Sequence, residues 1–428
     1  MMKLLCKERL IARISIVLLG ILVSLVSQRV VALDVNITAL FRPDPANPLK
    51  NEFINTTPQS GYCEALPQYC VNPPLISFRL PMRFRSAFPI KANHPVQSDG
   101  AMFGVPGQWR TLQVRHVSTG EMAEVEVRVA GIGTTHLLET PVQEIVGVPE
   151  STSSATAFEM LWEGGGWVHG AGPCKSTGYH GSNSWMYGFF LSVDATDGVC
   201  AKKALFEIPV LKYDHLDLGY ELRTPNPLKM ATGVYVGSII YTIGPRGDID
   251  MGNNMVAEGS SVINLMFTLT VEHELKVELP PGGNKISLVP QGGWQSWLQA
   301  GRKPVRLFRD QTFNISASSR FKMHLECEFS AFPHDCLLDD RVSKRGVALH
   351  VGVSLPNGLT DMAGQPVRQM RLRAGAANAL QFQPGFYVDR APGVLHFEVP
   401  PDQMEFMLKP GAGPFYRGNA TVIWDSEV

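Results

Sequence analysis

The sequence predicts an all-β protein built as two β-sandwich domains, and three observations carry that expectation. Apolar residues recur with period two along most of the chain. Turn-forming residues are plentiful, with 40 Gly and 31 Pro among 428 residues, and 9% aromatic content supplies core material. Six cysteines that follow an export-like leader fall into three sequence-local couples, as in a disulfide-stapled exported fold.

The leader comes first. Lys3, Lys7, Arg9 and Arg13 precede an apolar run from Ile14 to Val26, and Val30 and Ala32 sit where a signal peptidase needs small or short side chains. Residues 1–32 therefore read as a signal peptide cleaved after Ala32. The run is shorter than the roughly 20 residues of a spanning helix. Cleavage removes Cys6 and leaves Cys63, Cys70, Cys174, Cys200, Cys327 and Cys336. Six cysteines allow about 15 pairings; their spacing favours Cys63 with Cys70, Cys174 with Cys200, and Cys327 with Cys336. Zinc is the competing reading, but no C-x-x-C occurs and an oxidising compartment consumes thiols. A formal net charge of −1 argues against nucleic acid or an anionic membrane surface as the main partner.

Individual strands follow from alternation. Val347, Leu349, Val351, Val353 and Leu355 alternate with small or polar residues before Pro356-Asn357-Gly358. Ile263, Leu265, Phe267, Leu269 and Val271 do the same, and the run resumes at Leu275, Val277 and Leu279 before Pro280-Pro281. Further strands are expected over Glu124–Val129, Ala204–Val210, Val234–Ile243, Phe321–Phe329, Val394–Val399 and Ala420–Val428. No window beyond the leader has an apolar stripe at helical spacing. The polar, Gly-containing stretch Gly252–Ser261 reads as the linker, which divides the mature chain into an N-terminal domain over 33–257 and a C-terminal domain over 262–428.

The richest segment for binding runs from Trp162-Glu163-Gly164-Gly165-Gly166-Trp167 through His169 and Cys174 to Tyr179, His180, Asn183, Trp185 and Tyr187. Aromatic faces stack on the apolar faces of sugars, and His, Asn and Ser give directional hydrogen bonds. Candidate ligand-binding residues are Trp162, Trp167, His169, Tyr179, His180, Asn183 and Trp185; the alternative is that the aromatics fill a core. His169 and His180 could take a metal with His215 or Asp214, but no tight ligand spacing is present. Nothing marks a catalytic site or cofactor: there is no G-x-S-x-G elbow, P-loop or dinucleotide fingerprint. The carboxylate pairs Asp248/Asp250 and Asp339/Asp340 lie in turn-like stretches, which leaves a β-sandwich glycan hydrolase as the enzymatic alternative. Four Asn-x-Ser/Thr sequons, at Asn36, Asn55, Asn314 and Asn419, keep a glycosylated secreted protein open as well.

The layout resembles the two-domain tip adhesins and minor subunits of bacterial chaperone-usher fimbriae. The residues that carry the resemblance are the leader, the local cysteine couples, Thr232-Gly233-Val234-Tyr235-Val236-Gly237 with its strand continuation, and a second β domain that runs from Val262-Ile263-Asn264-Leu265 through Phe321–Cys327 to an alternating last strand, Gly418–Val428. The resemblance implies a lectin-like N-terminal domain and an incomplete immunoglobulin-like C-terminal domain of pilin type. A donor strand from a periplasmic chaperone, and then from a neighbouring pilin subunit at an outer-membrane usher, would complete that second domain. Val422, Trp424 and Val428 would border the groove. It further implies a place at the fimbrium tip on the cell surface and a host glycan or glycoprotein as receptor; a structural minor subunit without receptor binding is the alternative. Glu427 departs from the aromatic often found at that position. Leu33–Phe41 reads as the first strand of the N-terminal sandwich in preference to a donor strand.

Overall fold

A computed structural model describes residues 32–71, 75–301, 303–331, 334–340, 342–413 and 415–426. Most of the leader, Glu427 and Val428 lie outside the described residues. Two β-rich domains follow one another. The first is organised by one 13-stranded sheet, whose backbone is the strands 255–258, 83–86, 211–213, 122–138, 110–116, 233–242, 262–271 and 33–41 in that spatial order. The strand Met122–Leu138 is long enough to pair with four others along its length, 110–116, 186–192, 211–213 and 216–223, with 76–80 joined beyond the last of these and 175–183 beyond Met186–Ser192.

Strict alternation turns one face of Val262–Val271 inward, so Ile263, Leu265, Phe267, Leu269 and Val271 are all buried. Their partners correct the expected boundary. The strand runs parallel to Leu33–Phe41 and antiparallel to Gly233–Thr242, and its buried side chains join the core of the first domain. Gly252–Ser261 is not a linker either, since Met255–Glu258 pairs with Arg83–Ser86. The chain instead leaves the first domain at Glu272–Glu274. Leu33–Phe41 opens the first domain, with its full length paired to Val262–Val271. A second correction concerns Ala204–Val210: only Ala204 and Ile208 make isolated bridges, to Trp162 and Ile90, because both are pinned in the core while bends intervene.

The second domain faces two sheets across a separate core. The larger has the order 275–278, 307–317, 388–399, 345–354, 335–340 and 330–331; the smaller has 359–361, 380–384, 321–327 and 420–426. Phe313, Ile315, Phe321, Met323, Leu325, Val351, Phe382 and Phe397 fill the space between them. The three expected cysteine couples are the bonded pairs, Cys63–Cys70, Cys174–Cys200 and Cys327–Cys336. Short helices, including Val142–Val146, Ser154–Leu161, Gly293–Ala300 and Pro401–Met407, leave no mark in the periodicity because none is longer than eight residues.

Candidate functional site

The Gly-rich aromatic segment divides on folding. Helix Ser154–Leu161, capped by Ser153 Oγ accepting the Thr156 N–H, buries Phe158 and Leu161 and leads into Trp162. Trp162 and Trp167 are 1% and 0% exposed, so the structure removes both from the binding surface. Their rings meet each other and those of Phe103, His136 and Phe189 at centroid separations from 4.8 to 5.9 Å. The glycines between them serve packing. Gly165 has a φ of 81°, and a Cβ there would lie 2.4 Å from Glu159; one on Gly166 would lie 2.8 Å from the Tyr187 hydroxyl. Glu159 Oε2 accepts the Gly166 N–H at 2.9 Å and lies 2.9 Å from His169 Nε2, closing the turn from inside.

What remains outside is the hairpin made of Lys175–Asn183 and Met186–Ser192. Trp185 projects from its tip, half exposed. Asn183 Oδ1 accepts the N–H groups of Trp185 and Met186, so Asn183 shapes the turn. The two faces of the outer strand carry different residues. His180 stacks on Tyr187 on the side of helix Ser154–Leu161, where His169 also lies. Tyr179 lies on the other side, its hydroxyl 3.6 and 3.7 Å from where Cβ atoms on Gly181 and Gly188 would stand, and its ring 5.7 Å from Tyr62. Tyr62 stacks at 4.0 Å on Phe190, which lies across Gly131 and Gly133. His215 stands in a separate cluster of charged groups, and among the described residues no group of three or more His, Cys, Asp or Glu side chains could hold a metal ion.

Beside the Tyr179 face is a cleft of about 580 Å³ lined by Arg79, Pro81, Arg83, Asp214, His215 and Glu258. Its order comes from within. Arg79 donates two parallel hydrogen bonds to the Asp217 carboxylate, each of 2.8 Å, and His215 lies 3.4 Å from Asp214 and 3.5 Å from Asp217. Burial alone would raise the Asp217 pKa, but hydrogen bonds from Arg79 and His215 outweigh it and hold the carboxyl below its usual range. The cleft therefore presents a pre-oriented guanidinium, an imidazole and carboxylates of both fixed and free kinds, next to an aromatic ring. Such a set can hydrogen-bond the hydroxyls or acidic groups of a polar ligand. Sequence reading named His215 and Asp214 only as third metal ligands and missed Arg79, Arg83 and Glu258. They lie on strands or connections separated in the chain, and only the sheet order brings them together.

In the second domain the strand Ala420–Ser426 pairs with Phe321–Cys327 on one side and ends the smaller sheet on the other. Val422 and Trp424 point into the sandwich yet are only partly buried, and the Trp424 ring meets Phe313 at 4.9 Å. On and after the edge strand of the larger sheet, Leu275, Val277, Ile286 and Leu288 are likewise apolar and partly buried against the same core. Val428 lies outside the described residues. On the outer face of the larger sheet, Asp310 Oδ1 is 2.8 Å from His396 Nδ1, and Ser354 Oγ is 2.9 Å from His396 Nε2. That is the partner order of a hydrolase triad. Ser354 Oγ also accepts the Gln369 N–H at 2.9 Å, however, and the strands that carry the three residues pair with one another. The Asp310–His396–Ser354 hydrogen bonds thus rivet three neighbouring strands.

No family model and no curated protein matches the sequence. Among solved structures, the chain is similar to the adhesive subunit CfaE of the CFA/I fimbria of enterotoxigenic Escherichia coli, at 11% identity and a TM-score of 0.26, covering 93% of this chain and 94% of that one. It is similar to a chaperone–tip adhesin complex of CFA/I fimbriae at 11% identity and a TM-score of 0.24, covering 93% and 97%. It is also similar to the CsuC–CsuE chaperone–tip subunit complex of archaic Csu pili of Acinetobacter baumannii, at 8% identity and a TM-score of 0.22, covering 92% and 99%. Likeness at these values carries no argument about function.

Proposed function

We propose that the protein is a fimbrial tip adhesin: a first domain that binds a receptor, and a second, pilin-like domain that accepts a donor strand. The observation that carries the reading is that Val422 and Trp424, on the edge strand of one sheet, and Leu275 and Val277, on the edge strand of the other, are all only partly buried against the shared core. Apolar side chains left partly wet along a strand with an unpaired edge are what a strand from another chain would cover, supplying backbone hydrogen bonds at the same time. On this reading the partners are a periplasmic chaperone, an usher and the next subunit, and the protein ends at the cell surface.

The first domain's part is receptor binding, with a glycan as the favoured ligand. Its site is the cleft around Arg79, Arg83, Asp214, His215 and Glu258 with Tyr179 at its margin and Trp185 on the neighbouring hairpin tip, in place of the buried Trp162 and Trp167. The reading is tested by producing the full chain in a periplasm with and without its chaperone. The chain should need the chaperone to stay soluble, and the complex should bind glycans in a way that Arg79→Ala and Tyr179→Ala weaken at least tenfold. A lone chain that is stable, monomeric and indifferent to an added strand would sink the donor-strand claim. Binding to no glycan would leave a minor subunit or a protein receptor.

A further inference from the structure

The second domain carries a short helix, within an acid-free stretch of sequence, that neither the receptor cleft nor the strand groove uses. Between Glu278 and Asp310 the sequence has no acidic residue, while Lys285, Arg302, Lys303, Arg306 and Arg309 give it five cations in a chain whose net charge is −1. The helix Gly293–Ala300 lies in the middle of this stretch and is itself uncharged, with the sequence Gly-Trp-Gln-Ser-Trp-Leu-Gln-Ala.

The helix has little holding it. Eight residues are too few for stability in isolation, since lone helices shorter than about 12 residues are marginal in water. Left-handed glycines flank it, Gly292 with φ 81° and Gly301 with φ 61°, and no side chain hydrogen-bonds its N-terminal amides. It packs on the two-residue strand Val289–Pro290, and its Trp and Leu side chains take no part in the cores of the domain. Trp294 is 45% exposed, Leu298 70% and, just beyond the helix, Val305 69%. The Trp294 and Trp297 rings meet edge to face at 5.8 Å, so they form one apolar ridge. Lys285, Lys303 and Arg309, in the sequence on either side of the helix, are exposed. Arg306 stacks over Phe308 at 4.8 Å and lies 3.6 Å from Glu398.

We infer that this segment docks on an anionic lipid surface, with the Trp294–Leu298 ridge entering the headgroup layer and the flanking lysines and Arg309 meeting lipid phosphates. Tryptophan favours the bilayer interface, where its ring is apolar and its N–H stays wet. A short amphipathic helix lies in that plane and cannot cross it. Arg306 is engaged by Glu398, which leaves the exposed Lys285, Lys303 and Arg309 to complement lipid phosphate. The proposal is independent of what the receptor cleft binds.

The test is co-sedimentation of the full chain with vesicles of phosphatidylcholine alone and of phosphatidylcholine with about a third phosphatidylglycerol. Partitioning should be at least tenfold greater on the anionic vesicles and should fall with added salt. Trp294→Ser with Leu298→Ser should lower it at least tenfold, and Lys303→Glu with Arg309→Glu severalfold, while thermal melting stays at the wild-type value because all four side chains are exposed. Trp185→Ala, in the first domain, should leave partitioning unchanged. The proposal is overturned if the wild type ignores anionic vesicles, if the helix variants partition as it does, or if Trp185→Ala alone abolishes binding.

Discussion

Two groups of aromatic side chains, one in each domain, are treated in opposite ways. In the first, Trp162, Trp167, Tyr187 and Tyr213 are sealed inside a sheet that curls around them, with at most 1% of any exposed. In the second, Trp424 is half-wet on an edge strand and Trp294 stands on the surface. The sealed cluster has a cost of its own. Both ring nitrogens of His136, the indole nitrogens of Trp162 and Trp167 and the Tyr213 hydroxyl have no hydrogen-bond partner among the described residues. A domain that tolerates several unpaired polar atoms of this kind draws its stability from dense packing. A domain that leaves tryptophan in water has contacts still to make. The difference teaches that burial, more than residue type, separates what holds this chain together from what it offers to others.

The largest effect should follow from opening the sealed cluster. Trp167→Ala removes a fully buried indole and should cost about 3–5 kcal/mol, read as a large drop in the denaturation midpoint of the first domain. If this variant melts like the wild type, the core assignment is wrong and Trp167 belongs on a surface. Acid should act on the same cluster. Burial among aromatic rings pushes the His136 pKa down to about 3, against 6.5 for a free histidine. The folded protein thus keeps His136 neutral while the unfolded chain takes up a proton below pH 6.5. The stabilising contribution is complete above pH 6.5 and is lost as pH falls towards 3, roughly 3 kcal/mol by pH 4. Urea titrations at pH 7 and pH 4 should therefore differ by less in His136→Phe than in the wild type by about that amount.

Much of this contrast was legible in the sequence, and what escaped did so for physical reasons. The alternation at Val262–Val271 identifies a strand with one buried face, but the pattern is the same whichever sheet receives it. Its parallel pairing with Leu33–Phe41 depends on topology that local periodicity does not encode, and so the domain boundary was placed too early. The cluster of Trp162, Trp167 and glycines looks alike in a sugar-binding loop and in a tight turn over a core. The decisive facts are the Glu159 contacts and the near-zero exposure of the indoles. Local cysteine spacing did carry the pairing, because short loops between hairpin-like segments bring Cα atoms within bonding reach. The Arg79–Asp217–His215 cleft had no signal of its own, being assembled from residues on different strands.

Smaller effects distinguish the two exposed classes of tryptophan. Trp424→Ala should cost about 1–2 kcal/mol in the lone chain, because the indole is only partly buried against Phe313 and Phe321. The cost should grow when a complementary strand is seated, since the same ring is then fully covered. Thermal melts of wild type and variant, each with and without bound chaperone, measure that difference of differences. An equal cost in both states would mean that no strand covers Trp424 and that the second domain is complete as it stands. The smallest change belongs to Trp185→Ala at the hairpin tip, where half the ring is already in solvent. Its stability should stay within about 0.5 kcal/mol of wild type, so any loss of receptor binding in that variant is attributable to the missing indole and not to the fold.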